Sequence, residues 1–320
     1  MKYAWLFILC GVCAILSLSV GALSIPVLDI VPALFGHGED IHVSIIQDLR
    51  TPRTFLALFV GAGLGASGAA LQGYTRNPLA DPGILGFSAT AALGAVGALY
   101  FGAYAWVTPA ALTGAGLGAA LLLALAGHKQ SATLLILAGV GIAALATSLT
   151  GLLMNFAPNP WALSEIVYWL MGSLRNANAN AAMICGALTC LGLICLILTG
   201  NDLRTLSLGE DTAQSLGVSL GKVRLLLVVG VALCVGSGVA VAGAIGFIGL
   251  FIPHIIRGIF GADPAKLIPL SALGGAAFLT LADILTRLLS AQGTLVYLGI
   301  LTALIGAPFF IWLAMKEGQS

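Results

Sequence analysis

The sequence predicts an all-α, polytopic membrane protein with about ten transmembrane helices, and three observations support this fold class. The 320 residues are 59% apolar and 8% charged, mean hydropathy is +1.07, and long stretches of the chain carry no charge. Because soluble domains carry about 25% charged residues, this chain cannot cover a water-facing particle of its size. A soluble enzyme, a nucleic-acid-binding protein and a disordered chain are therefore excluded. We expect contact with membrane lipid and none with nucleic acid.

Charge-free windows set the number and order of the spans. A transmembrane helix needs about 20 apolar residues, so most windows hold one span, and 82–128 holds two that are separated at Pro109. The window 225–256 is too long for one span and too short for two, and glycines and Pro253 end it, so its second helix is predicted to be short. The predicted spans are 4–24, 54–73, 86–103, 108–126, 133–153, 183–200, 225–245, 254–263, 267–288 and 299–315.

Lysine and arginine positions predict which side each loop faces. With the N-terminus in the cytoplasm, nine of the 13 basic residues lie inside and four, Arg50, Arg53, Arg175 and Arg287, lie outside. Cytoplasmic loops of membrane proteins carry the excess of basic residues, so both termini are predicted to be cytoplasmic. A cleaved signal peptide over the first apolar run is a less favoured alternative, because its removal would leave an odd number of spans.

Two seven-residue segments indicate an internal repeat. Residues 67–73 and 237–243 share Ser-Gly-x-Ala-x-x-Gly at a separation of 170, once in an inward-running and once in an outward-running span. This is the relation expected of an inverted repeat, with chance similarity among small residues as the alternative. We interpret 1–320 as one transmembrane domain in which spans 2–5 (about 54–153) and 7–10 (about 225–315) are pseudo-repeats around a transport pathway.

Three polar segments are more organised than simple connectors. The corner, residues 73–83, contains two prolines that restrict the backbone. The loop 202–224 alternates apolar and polar residues, which predicts one or two short amphipathic helices that lie on lipid or dock into a partner. Arg50, Arg53 and Arg287 lie outside against the charge bias, which favours an acidic partner, although Arg287 also has an ion-pair candidate four residues earlier in Asp283.

Metal and redox sites are not predicted. All six cysteines lie in apolar spans, where packing is the commoner role. The first outer loop holds His37, Glu39, Asp40 and His42 beside two glycines, and we interpret it as a solvated loop rather than a metal site. We therefore assign no catalytic and no metal-binding residues.

Several motifs in register resemble the FecCD family, the permease subunits of type II ABC importers for cobalamin, haem and ferric siderophores. They run from about residue 50 to the C-terminus and comprise Arg50-Thr51-Pro52-Arg53-Thr54, Leu71-Gln72-Gly73, Asn77-Pro78-Leu79-Ala80-Asp81-Pro82-Gly83, Leu208-Gly209-Glu210, Leu216-Gly217-Val218, Ile252-Pro253-His254-Ile255-Ile256-Arg257, Ala282-Asp283 and residues 302–309.

The resemblance implies a ten-span permease of the bacterial cytoplasmic (inner) membrane that forms a homodimer and takes substrate from a periplasmic or extracellular binding protein. Two copies of a separate ABC ATPase would use ATP and Mg²⁺, so this chain needs no cofactor and is not itself an enzyme; it lacks Gly-x-x-x-x-Gly-Lys-Ser/Thr. The resemblance places binding-protein docking at Arg50, Arg53 and Arg287. It places the cytoplasmic gate at Asn77, Leu79, Ala132 and Thr133. It places ATPase coupling at Leu208, Gly209, Glu210, Asp211, Ala213, Leu216, Gly217 and Val218.

Two departures from the family pattern concern the choice of cargo and the polarity of the gate. The family commonly has Glu-x-Pro-x-Gly where this chain has Leu295-Val296-Tyr297-Leu298-Gly299, and Ala132 replaces a hydroxyl residue of the cobalamin permease. A ferric siderophore or haem is the favoured cargo, and cobalamin and oxyanions are less favoured candidates. The alternative function is an ion-coupled secondary transporter, which needs ionisable groups near the middle of the membrane.

Overall fold

The computed structural model describes residues 3–21, 23, 25–126, 132–290 and 294–317. Within these ranges the regular structure is helical and no β-strand is present. The α-helices are α1 (Ala4–Ser19), α2 (Val27–Leu34), α3 (Asp40–Ser44), α4 (Thr51–Thr75), α5 (Phe87–Tyr100), α6 (Val107–Ala126), α7 (Ala132–Asn155), α8 (Pro160–Leu170), α9 (Ala179–Leu198), α10 (Gly200–Leu206), α11 (Glu210–Ser215), α12 (Leu220–Ala242), α13 (Ile248–Phe260), α14 (Pro264–Ser290) and α15 (Leu298–Glu317).

The predicted fold class is confirmed. In the described part of the chain, six helical stretches are long and apolar enough to cross a membrane, and α1, α5, α13 and α15 are shorter apolar helices. Together they follow the ten predicted spans in order. The inverted repeat within this bundle stays a prediction.

The centre of the bundle is the contact between α4 and α14. Most of both helices is buried, and the two backbones touch at glycines. A Cβ on Gly61 would overlap the carbonyl group of Gly275, and a Cβ on Gly275 would overlap that of Gly61. Small residues allow this close approach in membrane helices, where van der Waals contact replaces the hydrophobic effect as the force between helices.

The predicted span 254–263 is wrong at its start, because α13 begins at Ile248 and contains Pro253. Proline lacks the N–H that would bond to the carbonyl oxygen of Gly249, four residues earlier. That oxygen instead accepts a hydrogen bond from Gln72 Nε2 of α4 at 3.3 Å. Pro253 is therefore tolerated because a side chain from another helix satisfies the freed acceptor.

Two non-helical segments precede the short helices α5 and α13. Residues 76–86 leave α4 through Arg76, which has a left-handed backbone (φ 52°), and fold back so that the 3₁₀ turn Pro82–Leu85 packs against α13 and α7. Residues 243–247 connect α12 to α13 and end at Phe247, also left-handed (φ 70°). The helices α5 and α13 therefore both start inside the bundle rather than at its surface.

Three helical elements were absent from the predicted spans. α2 and α3 lie between the first two predicted spans, and α3 continues through a π-helical turn, Ile45–Arg50, into α4. α8 starts at Pro160 and is capped by Asn159, whose Oδ1 accepts from Ala162 N. In the loop 202–224 the expected short helices are present as the end of α10 and as α11.

Candidate functional site

The two ends of the bundle carry most of its polar interactions. We call the end with Arg50, Arg53 and Arg287 the arginine end. We call the end with the corner 73–83 and the loop 202–224 the corner end.

A buried ion network holds the arginine end together. Arg53 of α4 donates to both carboxylate oxygens of Asp283 of α14, with Nε 3.0 Å from each and Nη2 2.8 Å from Oδ1. Arg287 Nη2 lies 3.1 Å from Oδ2 of the same carboxylate. The Asp283 side chain is fully buried. One carboxylate therefore bridges two guanidinium groups from two helices.

Arg50 is bound to the backbone of the last residues of α1 and of the segment that follows it. Its Nη1 donates to the carbonyl oxygens of Leu18 (2.6 Å) and Ser19 (2.7 Å), and its Nη2 donates to that of Leu23. The residue is only 6% exposed. A guanidinium at this place satisfies carbonyl groups that the end of a helix leaves without intrahelical partners, and its charge complements the negative end of the helix dipole.

Arg287 makes the same kind of contact from α14. Its Nη1 donates to the carbonyl oxygens of Ser17 (2.8 Å) and Val20 (3.0 Å), and its Nη2 donates to Ser17 Oγ. Ser17 Oγ in turn lies 2.7 Å from Thr54 Oγ1 of α4. The arginine end is thus a polar clasp that joins α1, α4 and α14.

The contacts of the clasp give the predicted docking residues a structural role. The expected ion pair of Asp283 and Arg287 is present, and all three arginines have partners within the chain. The side chains of Arg53 and Arg287 are 19% and 10% exposed. A role for them in binding a partner protein stays a prediction, and their role in packing α1 against α4 and α14 is observed.

At the corner end, Gln72 joins the corner to α13. Its Nε2 donates to the carbonyl oxygens of Ala80 (3.4 Å) and Gly249 (3.3 Å), and its Oε1 accepts from Arg257 Nη2 at 2.8 Å. Sequence reasoning placed Gln72 in a motif without giving it a role. A glutamine in an otherwise apolar helix was the available signal.

The predicted gate residues occupy two separate places. Asn77 Oδ1 accepts from the N–H of Leu79 (2.9 Å), which forms a tight turn, and the Leu79 side chain is 53% exposed. Ala132 and Thr133 form the first turn of α7, half-buried and exposed respectively. Among the described residues, no hydrogen bond or ion pair joins these two places. Their role as gates stays a prediction.

The predicted coupling residues form a compact helical turn. Ala213 is the buried residue of α11, and Val218 N donates back to the Ala213 carbonyl oxygen at 3.0 Å. Gly209 and Gly217 bound this turn with left-handed backbones (φ 110° and 89°). Glu210 and Asp211 lie in the first turn of α11, and Leu208 and Leu216 are about two-thirds exposed. The loop therefore presents two apolar side chains beside acidic ones.

Ion pairs tie this loop to its neighbours. Arg76 Nη2 of the corner lies 3.8 Å from Glu210 Oε1, and Arg204 donates to both carboxylate oxygens of Asp263 at 2.8 and 2.6 Å. The Arg204 hydrogen bonds lower the pKa of the Asp263 carboxyl below its ordinary value. The loop is thereby attached both to the corner and to the turn between α13 and α14.

A cavity of about 170 Å³ lies beside the non-helical segments. Asp81, Ser88 and residues 244–247 contribute to its lining. In the described part of the chain, the backbone N–H and C=O groups of residues 244–246 have no hydrogen-bond partner. Sequence reasoning missed this segment because the glycines at 243, 246 and 249 were interpreted as the boundary of a span.

The histidine loop shows no metal geometry. His42 lies 3.8 Å from Asp29 and 3.7 Å from Glu39 and lines a second cavity of about 180 Å³ with His37. Among the described residues, no group of three or more His, Cys, Asp or Glu side chains is arranged to hold a metal ion.

In the part of the chain that the structure describes, ten apolar helices, two of which begin at interruptions beside a cavity, define a multi-pass membrane protein. Comparison with known proteins gives the family. The chain belongs to the FecCD transport family, whose profile matches residues 9–316.

Relatives and a solved structure agree with this membership. The chain is 37% identical to the Fe(3+) dicitrate transport system permease protein FecD of Escherichia coli (strain K12), covering 95% of each chain. It is 37% identical to the hemin transport system permease protein HmuU of Yersinia pestis, covering 100% of this chain and 96% of the relative. A solved structure described as an inward-facing metal-chelate type ABC transporter is 33% identical, with a TM-score of 0.88 over 98% of both chains.

Proposed function

We propose that this chain is the permease subunit of an ATP-driven ABC importer that carries a bulky metal chelate, a ferric siderophore or haem, by alternating access; cobalamin is a further candidate cargo. The observation that carries the proposal is the similarity over the whole chain to permeases of chelate import systems. These relatives are named for different chelates, ferric dicitrate and hemin, so the proposal gives a class of cargo rather than one compound.

The sidedness of the proposal follows from the positions of the charges. We assign the arginine end to the periplasmic or extracellular side of a bacterial inner membrane and the corner end, with both termini, to the cytoplasm. The start of α1 lies near the end of α13, because the Trp5 ring stacks on Phe260 with centroids 5.8 Å apart. This contact supports placing the N-terminus and the corner end on the same side of the membrane.

The partners of the proposed importer are a second copy of this chain, two ABC ATPase subunits and a substrate-binding protein. The ATPases would bind ATP and Mg²⁺ and contact the surface formed by Leu208, Leu216 and the acidic start of α11. Closure of the ATPases would move this surface, and the ion pairs of Arg76 with Glu210 and of Arg204 with Asp263 would pass the movement to the corner and to α13 and α14.

Uptake into proteoliposomes tests the proposal. Vesicles that contain this permease, its ATPase and its binding protein should accumulate a radioactive iron chelate only with internal ATP and Mg²⁺. Omitting the ATPase is the matched control and should abolish uptake. Uptake driven by a proton or sodium gradient without ATP would instead establish the ion-coupled alternative.

A further inference from the structure

The helix α2 carries an exposed stripe of apolar side chains at the arginine end. Leu28, Val31 and Phe35, the last of them directly after α2, follow at the spacing of one helical face. They are 87%, 60% and 76% exposed. The other side of the helix, with Ile30 and Ala33, is buried. The depth of α2 and the direction of its sides decide whether this stripe meets water or lipid.

Hydrogen bonds hold both ends of α2 near the level at which α4 begins. Just before α2, the carbonyl oxygen of Leu23 accepts from Arg50, which also binds the end of α1. At the other end, Gln47 Nε2 donates to the carbonyl oxygens of Ala33 (3.1 Å) and Leu34 (3.2 Å). Gln47 and Arg50 belong to one helical stretch and differ in height by only about 5 Å. α2 therefore lies roughly parallel to the membrane plane, at the depth where α1 ends and α4 begins.

The buried side of α2 faces the bundle sideways. Ile30 and Ala33 pack in one cluster with Ile25 and Ile46, and Ile46 belongs to the helical stretch that leads into α4. Successive helical residues are about 100° apart, which puts the exposed stripe about 160° from the buried side. The stripe therefore points away from the bundle, along the plane of the membrane.

The polar flank of α2 shows which way is water. Asp29 lies between the buried side and the stripe, 50% exposed, with its carboxylate 3.8 Å from His42 Nδ1. Glu39 lies 3.7 Å from the other ring nitrogen. His42 precedes Arg50 by eight helical residues and is therefore about 12 Å further from the membrane. The flank with Asp29 thus faces water, and the opposite flank, where Val27 is 56% exposed, faces the membrane.

Lipid is the partner that fits this arrangement. An interfacial helix places its apolar face at the boundary of headgroups and acyl chains and keeps its polar face in water. Residues 25–50, all of which the structure describes, have exposed carboxylates at Asp29, Glu39, Asp40 and Asp48, and their only basic residue besides histidine, Arg50, is buried. This segment therefore offers apolar contact and no attraction to an anionic headgroup.

We propose that α2 is an interfacial helix that binds the leaflet at the arginine end, with Leu28, Val31 and Phe35 among the upper parts of the acyl chains. The stripe is then covered by lipid and is not part of a surface for a soluble partner. This inference goes beyond the proposed function and depends on neither cargo nor ATP.

Photocrosslinking of the full-length permease in phosphatidylcholine vesicles tests the lipid contact. Phe35→p-benzoylphenylalanine places a benzophenone, which on irradiation attaches to neighbouring C–H groups, at the end of the stripe. We expect a phospholipid adduct that mass spectrometry detects. The same replacement at Phe7, 65% exposed in the apolar helix α1, is the positive control. Replacement at Asp40, exposed at the start of α3, is the negative control and should give no lipid adduct.

Variants of α2 show whether the stripe makes the contact. Leu28→Ser combined with Val31→Ser keeps the buried side of the helix and should cause loss of the lipid adduct at position 35. Asp29→Asn, on the polar flank of the same helix, is the matched control and should keep it.

Four results would overturn the inference. These are absence of any adduct at position 35, crosslinking to a second permease chain, crosslinking to an added binding protein in place of lipid, and an adduct that forms only when phosphatidylglycerol is present. The last result would mean that a charged headgroup makes the contact. ATP-driven uptake is measured separately, so a failure of the importer would leave the lipid contact standing, and a missing adduct would leave the importer standing.

Discussion

At the scale of single residues, Asp283 is the only carboxylate that accepts from the three arginines of the clasp in the described part of the chain. It is fully buried between Arg53 and Arg287, whereas the other acceptors of the arginines are backbone carbonyl groups and one hydroxyl. Buried charges are stable only when they are paired and hydrogen-bonded. Loss of this carboxylate would leave two guanidinium groups close together without a counter-charge.

We therefore expect Asp283→Asn to lower the stability of the permease by about 3–5 kcal/mol, the usual cost of removing one partner of a buried ion pair. Thermal unfolding of the purified protein in detergent measures the effect. Arg175→Gln, at an exposed arginine of the same end, is the matched control and should unfold like the wild type. An unchanged unfolding temperature in Asp283→Asn would mean that the network is not structural.

The clasp also shows which part of a site can be predicted from a sequence. The pair of Asp283 and Arg287 follows from their spacing of four residues on one helix. The contact between Arg53 and Asp283 joins residues 230 positions apart, and neither composition nor periodicity encodes it. For the same reason, reversing Arg50 and Arg53 to Glu would disturb the packing of α1 as well as any docking, and it cannot test docking alone.

At the scale of helices, the two interrupted regions meet at one tight contact. A Cβ on Gly68 of α4 would overlap the backbone of Gly249 at the start of α13, and a Cβ on Gly249 would lie 2.7 Å from Pro82 Cδ. The backbones of α4 and α13 therefore touch directly, and the Pro82 ring of the corner packs against the same glycine of α13.

Gly68→Ala should force α4 and α13 apart, because the added methyl group would have to displace backbone rather than a flexible side chain. We expect a loss of stability of about 1–3 kcal/mol, as for other overpacked sites, measured by thermal unfolding. Gly97→Ala in α5, where a Cβ meets no atom within 4 Å, is the control and should be neutral or slightly stabilising. Equal stability of the two variants would contradict the tight contact.

The interruptions themselves were only partly predictable. The sequence predicted breaks at the glycines 243, 246 and 249 and at the prolines of the corner. It also predicted that the second helix of the window 225–256 is short. The direction of the chain after each break was not encoded locally. It depends on contacts such as Gln72 with the Gly249 carbonyl oxygen, which exist only once α4 and α13 are adjacent.

At the scale of the whole molecule, the proposed transport cycle requires that the ATPase, a separate protein, moves the corner end of this chain. Leu208 and Leu216 are exposed although the loop has a buried side to which Ala213 and Leu206 contribute. The rest of the loop is held by Arg204 with Asp263 and by Arg76 with Glu210. An exposed apolar pair on an anchored support is suited to fill pockets of a partner and transmit its movement, since such anchors carry most of the energy of an interface.

Replacing both leucines by alanine should weaken binding of the ATPase about tenfold or more, because each truncation removes a side chain that the interface would bury. Titration of the ATPase onto the permease in nanodiscs measures this, with ATP-driven uptake as the functional readout. Thermal unfolding of the permease alone should not change, since neither side chain supports the fold. Gln214→Ala, at an exposed residue of α11 between the two leucines, is the matched control. Normal ATPase affinity in the double variant would place the coupling surface elsewhere and leave the ion pairs of this loop with a purely structural role.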